Sequence, residues 1–130
     1  MSAMDDAARA VRDHAYAPYS KFKVGACVKM DGALYVAANV ENASYPLSVC
    51  AERNAIAAAV AAGGRHLEEV VVCTDSSPPS SPCGGCRQVL REFCPDPVKV
   101  IVTSINLEGE RRSWTVAELL PDGFTGAELP

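Results

Sequence analysis

No window of this chain approaches the roughly 20 consecutive apolar residues that a membrane-spanning helix needs. A basic cluster is missing too. The longest cationic run is Arg111-Arg112, and 12 Lys and Arg face 16 Asp and Glu for a net charge of −4. A surface with that balance repels phosphate backbones, which argues against duplex or long single-stranded nucleic acid and favours a small, nearly neutral partner. The N-terminal segment carries Asp5 and Asp6 where a secretory leader would be cationic and then apolar. Internal repeats, linkers and low-complexity segments are absent. The expectation is one cytoplasmic domain over residues 1–130, with no membrane partner.

Six cysteines could form a disulfide scaffold, but 48% hydrophobic content in 130 residues can build a core without staples. Reduced thiols and metal ligation are the better reading. The two histidines, His14 and His66, fall at a helix end and in a loop, where solvated structural roles suit them.

Residues 3–15 alternate small apolar and charged side chains with a period near 3.6, which predicts an amphipathic helix ending near Ala17, before Pro18. Phe22–Val28 and Ala33–Ala37 flank Met30-Asp31-Gly32 and read as a hairpin. Asn39–Val49 is a polar loop interrupted by Pro46. An Ala-rich helix runs from Ala51 to Gly63-Gly64, and its small face suits close burial on a sheet. Val70–Cys73 reads as a central strand, Cys83–Phe93 as a helix and Val98–Thr103 as a strand. Arg111–Trp114 reads as a short edge strand, and Thr115 to Glu118 carries a capping box that opens a last helix. The order α-β-β-α-β-α-β-β-α implies a sheet with helices on both faces.

The chemistry concentrates in two runs, Cys50-Ala51-Glu52 and Pro82-Cys83-Gly84-Gly85-Cys86. Three thiolates can hold zinc tetrahedrally and leave its fourth position for water. A nearby carboxylate that is not a ligand, Glu52, can move protons on and off that water. This arrangement, with its P-C-x-x-C segment, points to hydrolytic deamination of a nucleobase. Cys83 and Cys86 share one face at a helix start, Cys50 precedes another helix, and positive helix ends favour the thiolate. Three thiolates on Zn²⁺ leave a net −1, which Arg53 can offset in part. In a regular helix Cys50 and Glu52 would diverge by about 200°. Both can face a metal only if Cys50 is a cap.

Each residue also has a plainer reading. A Cys-x-x-Cys pair can be a redox motif or half of a structural zinc site, with Cys94 as the fourth thiolate. Glu52 could simply stabilise a helix dipole. Cys27, Cys73 and Cys94 otherwise read as small buried hydrophobes. A closed structural site leaves the Glu52-Arg53 context unexplained, so the catalytic reading is preferred.

The segments Asn39–Arg53 (NVENASYPLSVCAER) and Ser81–Leu90 (SPCGGCRQVL) closely resemble the small homotetrameric cytidine deaminases. Pro18–Gly25 and Glu118–Phe124 extend the resemblance over nearly the whole chain. It implies a three-layer α/β/α sandwich around a mixed five-stranded sheet and one Zn²⁺ per chain. It casts Cys50, Cys83 and Cys86 as ligands and Glu52 as the proton shuttle. Asn39 and Glu41 become ribose binders, Phe22 the ring on the base, and the Ala51 amide and Ser81 carbonyl the readers of the pyrimidine edge. Ala43, Tyr45 and Phe124 are expected to reach a neighbouring subunit's site.

Independently, Asn39 and Glu41 lie two apart on an extended segment and so share a face that suits a vicinal diol. For Phe22, at the start of an apolar strand, core packing is the alternative. Cys27 stands where alanine is usual and Asn54 where threonine is frequent; neither touches the inferred chemistry. The expected reaction converts cytidine and 2′-deoxycytidine to uridine and 2′-deoxyuridine with loss of ammonia. The rivals are deamination of another aminopyrimidine, such as a blasticidin-type antibiotic, and a non-catalytic zinc module. The ribose pair argues against the first and Glu52 against the second. A nucleic-acid editor lacks its basic channel.

Overall fold

The computed structural model describes residues 2–130. Nine regular elements follow the expected order: α1 (Ala3–Arg12), β1 (Gly25–Met30), β2 (Ala33–Ala38), α2 (Ala51–Ala61), β3 (Leu67–Cys73), α3 (Gly84–Glu92), β4 (Ile101–Ile105), β5 (Arg111–Thr115) and α4 (Val116–Leu119). The sheet order is β2-β1-β3-β4-β5; only β3 and β4 run parallel, joined by a crossover through α3. The apolar strand β3 is central and β5 lies at an edge. Among the described residues no helix is long and apolar enough to cross a membrane.

Period-two alternation divides the core between the two faces of the sheet. Ala26, Val28 and Met30 of β1, with Val70 and Val72 of β3, pack with Ala51, Ala55 and Ala59 of α2 and Leu90 of α3. Cys27, Val71 and Cys73 point the other way, against Met4 and Ala8 of α1. The three α2 alanines are fully buried, so their small side chains let that helix lie close to the sheet. On the opposite face α1 approaches so tightly that a Cβ on Gly25 would lie 2.6 Å from the Arg12 nitrogen. The β1–β2 hairpin turns through Asp31 and Gly32, both at positive φ (48° and 83°), which is the two-residue turn that matches strand twist.

Some boundaries move from their sequence positions for visible reasons. Helix α1 stops at Arg12, short of Ala17, because Tyr16 leaves to bridge the loop, its amide bonding the Asn39 carbonyl at 3.0 Å. Strand β1 starts at Gly25 rather than Phe22, since the Asn39 side chain takes the Val24 amide and the Phe22 carbonyl (both 2.9 Å). Strand β4 starts at Ile101 rather than Val98, after a turn closed by Lys99 N–H on the Asp96 carbonyl. The 39–49 loop contains a short 3-10 turn, Tyr45–Leu47, with Pro46 in its first turn. Thr115 and Glu118 form the expected capping box at α4.

A second capping box, not read from the sequence, joins Ser2 and Asp5 at α1. Asp5 is buried and also takes a 2.8 Å ion pair from Arg111. Burial alone would raise the Asp5 pKa, but the Arg111 bond and charge outweigh it and hold the carboxyl below its ordinary value. The stabilisation is therefore complete above the unfolded carboxylate pKa of about 3.9 and is lost as pH falls through the lower folded value. Asp5→Asn is expected to lower the unfolding free energy by about 1–3 kcal/mol at neutral pH, read by urea titration. The gap to the parent protein should close only in strongly acidic buffer.

Candidate metal centre and active site

The three cysteines, Glu52, Phe22, Asn39, Ala51 and Ser81 gather at one end of the sheet, beyond the C-terminal end of β3. Antiparallel pairing sets Gly25 opposite both Cys73 and Ala38, which brings Phe22 and Val24, Asn39 and Thr74 to the same end. The N-termini of α2 and α3 point there as well.

Cys50 is the N-cap of α2, with extended backbone (φ −69°, ψ 154°), and Cys83 is the N-cap of α3 (φ −66°, ψ 167°). That cap position is what allows Cys50 and Glu52 to face one point. Neither cap sulfur bonds its own helix amides, so both are free to serve another group. Cys83 thus precedes the helix rather than sharing its first turn with Cys86, and the two sulfurs still lie 3.3 Å apart. Cys50 Sγ lies 3.8 Å from Cys83 Sγ, and all three sulfurs fall within 4.8 Å of one another. Tetrahedral zinc with bonds of about 2.3 Å needs sulfur–sulfur edges of about 3.8 Å. The trio fits that ion. Cys94 is buried in the core with Leu90 and Val100, apart from the cluster, so it does not close a four-thiolate site.

Electrostatics already favour a thiolate here. The Cys50 thiol is lowered to about 6, chiefly by a hydrogen bond from Cys86, with burial opposing and with Cys83 and the Arg53 charge assisting. Cys86 is pushed upward by the same sharing and by burial. Arg53 itself is exposed on α2. Glu52 is only 5% exposed, and burial drives its carboxyl up to about 7, with the Cys50 charge adding and bonds from its own amide and Cys86 opposing. A carboxyl poised near neutrality can both accept and return a proton.

A cleft of about 210 Å³ opens in front of this cluster, lined by Phe22, Asn39, Ala51, Glu52 and Ser81 together with Cys50 and Cys83. Phe22 is 37% exposed, so it faces the cleft instead of the core. The sequence reading missed Val24, Val72, Thr74 and Ser80, which also line it. For Val24, Val72 and Thr74 the signal was positional, since each sits at or next to a strand end, where open α/β sheets place ligands; Ser80 lies in the loop between β3 and α3.

Glu41 is not in that cleft. It lies in an adjacent depression with Tyr19, Ser20 and Tyr45, accepting bonds from the Tyr19 amide (3.0 Å), the Ser20 amide (3.1 Å) and the Ser20 hydroxyl. The Ser20 hydroxyl is the largest influence that holds its carboxyl below the ordinary range. Ala43, Tyr45 and Phe124 are exposed, Tyr45 by 69% and Phe124 by 56%. Cys27 and Cys73 are buried beneath α1. His14 and His66 are exposed, and His66 pairs with Asp31.

If the three sulfurs hold the metal, metal analysis of purified protein should give one zinc per chain, with three sulfurs in its X-ray absorption shell. Cys86→Ala should lose that zinc, whereas Cys94→Ala should keep it.

Three comparisons bear on this site. Residues 2–103 match the family model described as the cytidine and deoxycytidylate deaminase zinc-binding region. The cytidine deaminase of Halalkalibacterium halodurans is 46% identical over 119 residues, 91% of this chain and 89% of that protein. That of Sporosarcina psychrophila is 45% identical, again over 91% of this chain and 86% of its own length. Among solved structures, cytidine deaminase from Burkholderia pseudomallei superposes with a TM-score of 0.88 at 44% identity, covering 95% of this chain and all of that one. The Mycobacterium tuberculosis cytidine deaminase gives 0.78 at 34% identity, over 93% and 94% of the two chains. With the three-sulfur cluster and its buried carboxyl, these matches establish that the chain belongs to the zinc-binding cytidine and deoxycytidylate deaminase family.

Proposed function

We propose that this chain hydrolyses cytidine and 2′-deoxycytidine to uridine and 2′-deoxyuridine, releasing ammonia. The observation that carries the reading is the Glu52 carboxyl, 5% exposed, at the same cleft as three convergent sulfurs. Zinc held by Cys50, Cys83 and Cys86 supplies Lewis-acid activation of water. Glu52 takes one proton of the attacking water and passes it to N3 of the base; it then takes the proton of the hydroxyl added at C4 and gives it to the 4-amino group, which leaves as ammonia.

The remaining side chains orient the nucleoside. The Ala51 amide opens α2 and has no helical acceptor, so it is a free donor for the pyrimidine edge. The Ser81 carbonyl accepts from the 4-amino group, and the Phe22 ring packs on the base. Asn39 spends one amide hydrogen and one oxygen lone pair on the Phe22–Val24 backbone, which leaves one of each for a ribose hydroxyl. Glu41 accepts three bonds from Tyr19 and Ser20 and keeps an acceptor site for the sugar. Deamination of an antibiotic-type aminopyrimidine would not need this ribose pair.

The cleft is smaller than the roughly 300–1,000 Å³ of ordinary small-molecule sites, at about 210 Å³ in the single chain. A nucleoside would stay open to solvent on one side. A homotetramer, with Ala43, Tyr45 and Phe124 supplied by neighbours, completes the enclosure. Gln88 Nε2 already fixes the Phe124 carbonyl at 2.9 Å while the ring projects outward. The working unit is then one domain per chain, assembled fourfold and acting in the cytoplasm.

Ammonia release should be measured over a panel of aminopyrimidine nucleosides, with cytidine and deoxycytidine expected to turn over. Glu52→Gln should keep fold and zinc yet lose at least about 10²–10⁴-fold in kcat; near-parental turnover would overturn its assigned role.

Truncation after Pro121 tests the shared site. It should lower activity while zinc content is unchanged. An active monomer by light scattering, or an unaffected truncation, would defeat that part of the proposal.

A further inference from the structure

Arg87, one residue after Cys86, places each of its three guanidinium nitrogens on a neutral oxygen. Its Nε donates to the Pro82 carbonyl (2.7 Å), one terminal nitrogen to the Leu119 carbonyl at the end of α4 (2.9 Å), and the other to Ser81 Oγ (2.8 Å). Its own amide bonds the Cys83 carbonyl at 3.0 Å. One partly buried side chain therefore ties the loop before α3 to the C-terminal part of the fold.

The other supports of this loop stop one residue short of Ser81. Asn106 Nδ2 holds the Ser76 carbonyl (3.1 Å), Arg112 holds the Pro79 carbonyl (3.1 Å), and the Ser104 hydroxyl holds the Ser80 carbonyl. From Ser81 to Pro82 the grip passes to Arg87. The Ser81 carbonyl belongs to the Ser81–Pro82 peptide plane. Arg87 clamps a group on each side of that plane, the Ser81 hydroxyl before it and the Pro82 carbonyl after it. The proline ring fixes φ on the far side and restricts Ser81 to extended geometry on the near side. With both flanks held, the carbonyl has one direction.

We infer that Arg87 is a positioning residue that aims the Ser81 carbonyl and thereby sets discrimination between a 4-aminopyrimidine and a 4-oxopyrimidine. The inference rests on the reading of the Ser81 carbonyl given above. An aimed acceptor favours the amino group of the substrate and opposes the O4 oxygen of the product, because neither of two facing acceptors has a proton to share. A carbonyl free to swing loses both effects. Arg87 thus helps the site release what it makes.

The test uses full-length, zinc-loaded protein carrying Arg87→Lys, which keeps the charge and loses the fork. Zinc content, melting temperature, kcat and KM for cytidine, and the inhibition constant of uridine are measured together. KM for cytidine should rise about three- to tenfold, the worth of one misaligned neutral hydrogen bond. The uridine constant should stay level or fall, and zinc should remain at one per chain. Ser81→Ala removes only the hydroxyl link. It should shift the same ratio by less, add little on top of Arg87→Lys, and carry the test if that variant does not fold. A parental ratio of cytidine KM to uridine constant, an equal loss for both ligands, or loss of zinc would each overturn the inference. A parent protein that does not deaminate cytidine would instead overturn the proposed function.

Discussion

Two helix starts aimed at one point, each capped by a cysteine, constrain everything else in this molecule. Cys50 and Cys83 both adopt extended cap geometry, so their sulfurs leave the helix axes and meet the Cys86 sulfur from the first turn of α3. Helix N-termini carry partial positive charge, and three thiolates gathered anywhere else would repel one another with less compensation. That convergence requires α2 and α3 to lie side by side on one face of the sheet, which in turn requires small residues beneath α2. Ala51, Ala55 and Ala59 supply them.

The same geometry gives Glu52 its character. A carboxyl one turn into an exposed helix would be an ordinary anion. Here the close seating of α2 takes it out of water, and desolvation penalises its charged form. Packing of alanines against β1 and β2 thus reaches the chemistry directly, because the depth of the helix sets the proton affinity of the side chain at its start.

Polar groups do for the Ser/Pro loop what apolar packing does for α2. Residues 76–82 have no strand ladder to satisfy them, so Asn106, Arg112, Ser104 and Arg87 provide bonds one carbonyl at a time. Asn106 is fully buried, and its oxygen also receives the Glu108 and Glu110 amides. A loop held in this way can be irregular and still present fixed groups. On the opposite side of the cleft, the Asn39 amide plays the same part for Phe22 and Val24.

The sequence by itself determined which residues could do chemistry and which elements would carry them. Cys50-Ala-Glu52 and Cys83-x-x-Cys86 are local patterns, and the spacing of thiols at helix starts is readable because caps, helices and the Pro82 breaker are all short-range effects. The resemblance likewise anticipated the five-stranded sheet. Tertiary structure alone decided what depends on contacts distant along the chain. Asp5 became a buried ion-pair member only because Arg111, 106 residues away, reaches it. Asn39 and Glu41 separated into neighbouring depressions because one is claimed by Phe22 and Val24 and the other by Tyr19 and Ser20. Thr74 joined the cleft because β1 pairs antiparallel with β3 and brings its own start there, and Ser80 because its amide bonds the Thr74 hydroxyl and its carbonyl takes the Ser104 hydroxyl. Arg87, an ordinary helical cation in sequence, gained its role because three acceptors from two different segments fold within reach of one planar fork. Local patterns name the reacting groups; long-range pairing sets where they point, since only the folded chain fixes distances between residues far apart in sequence.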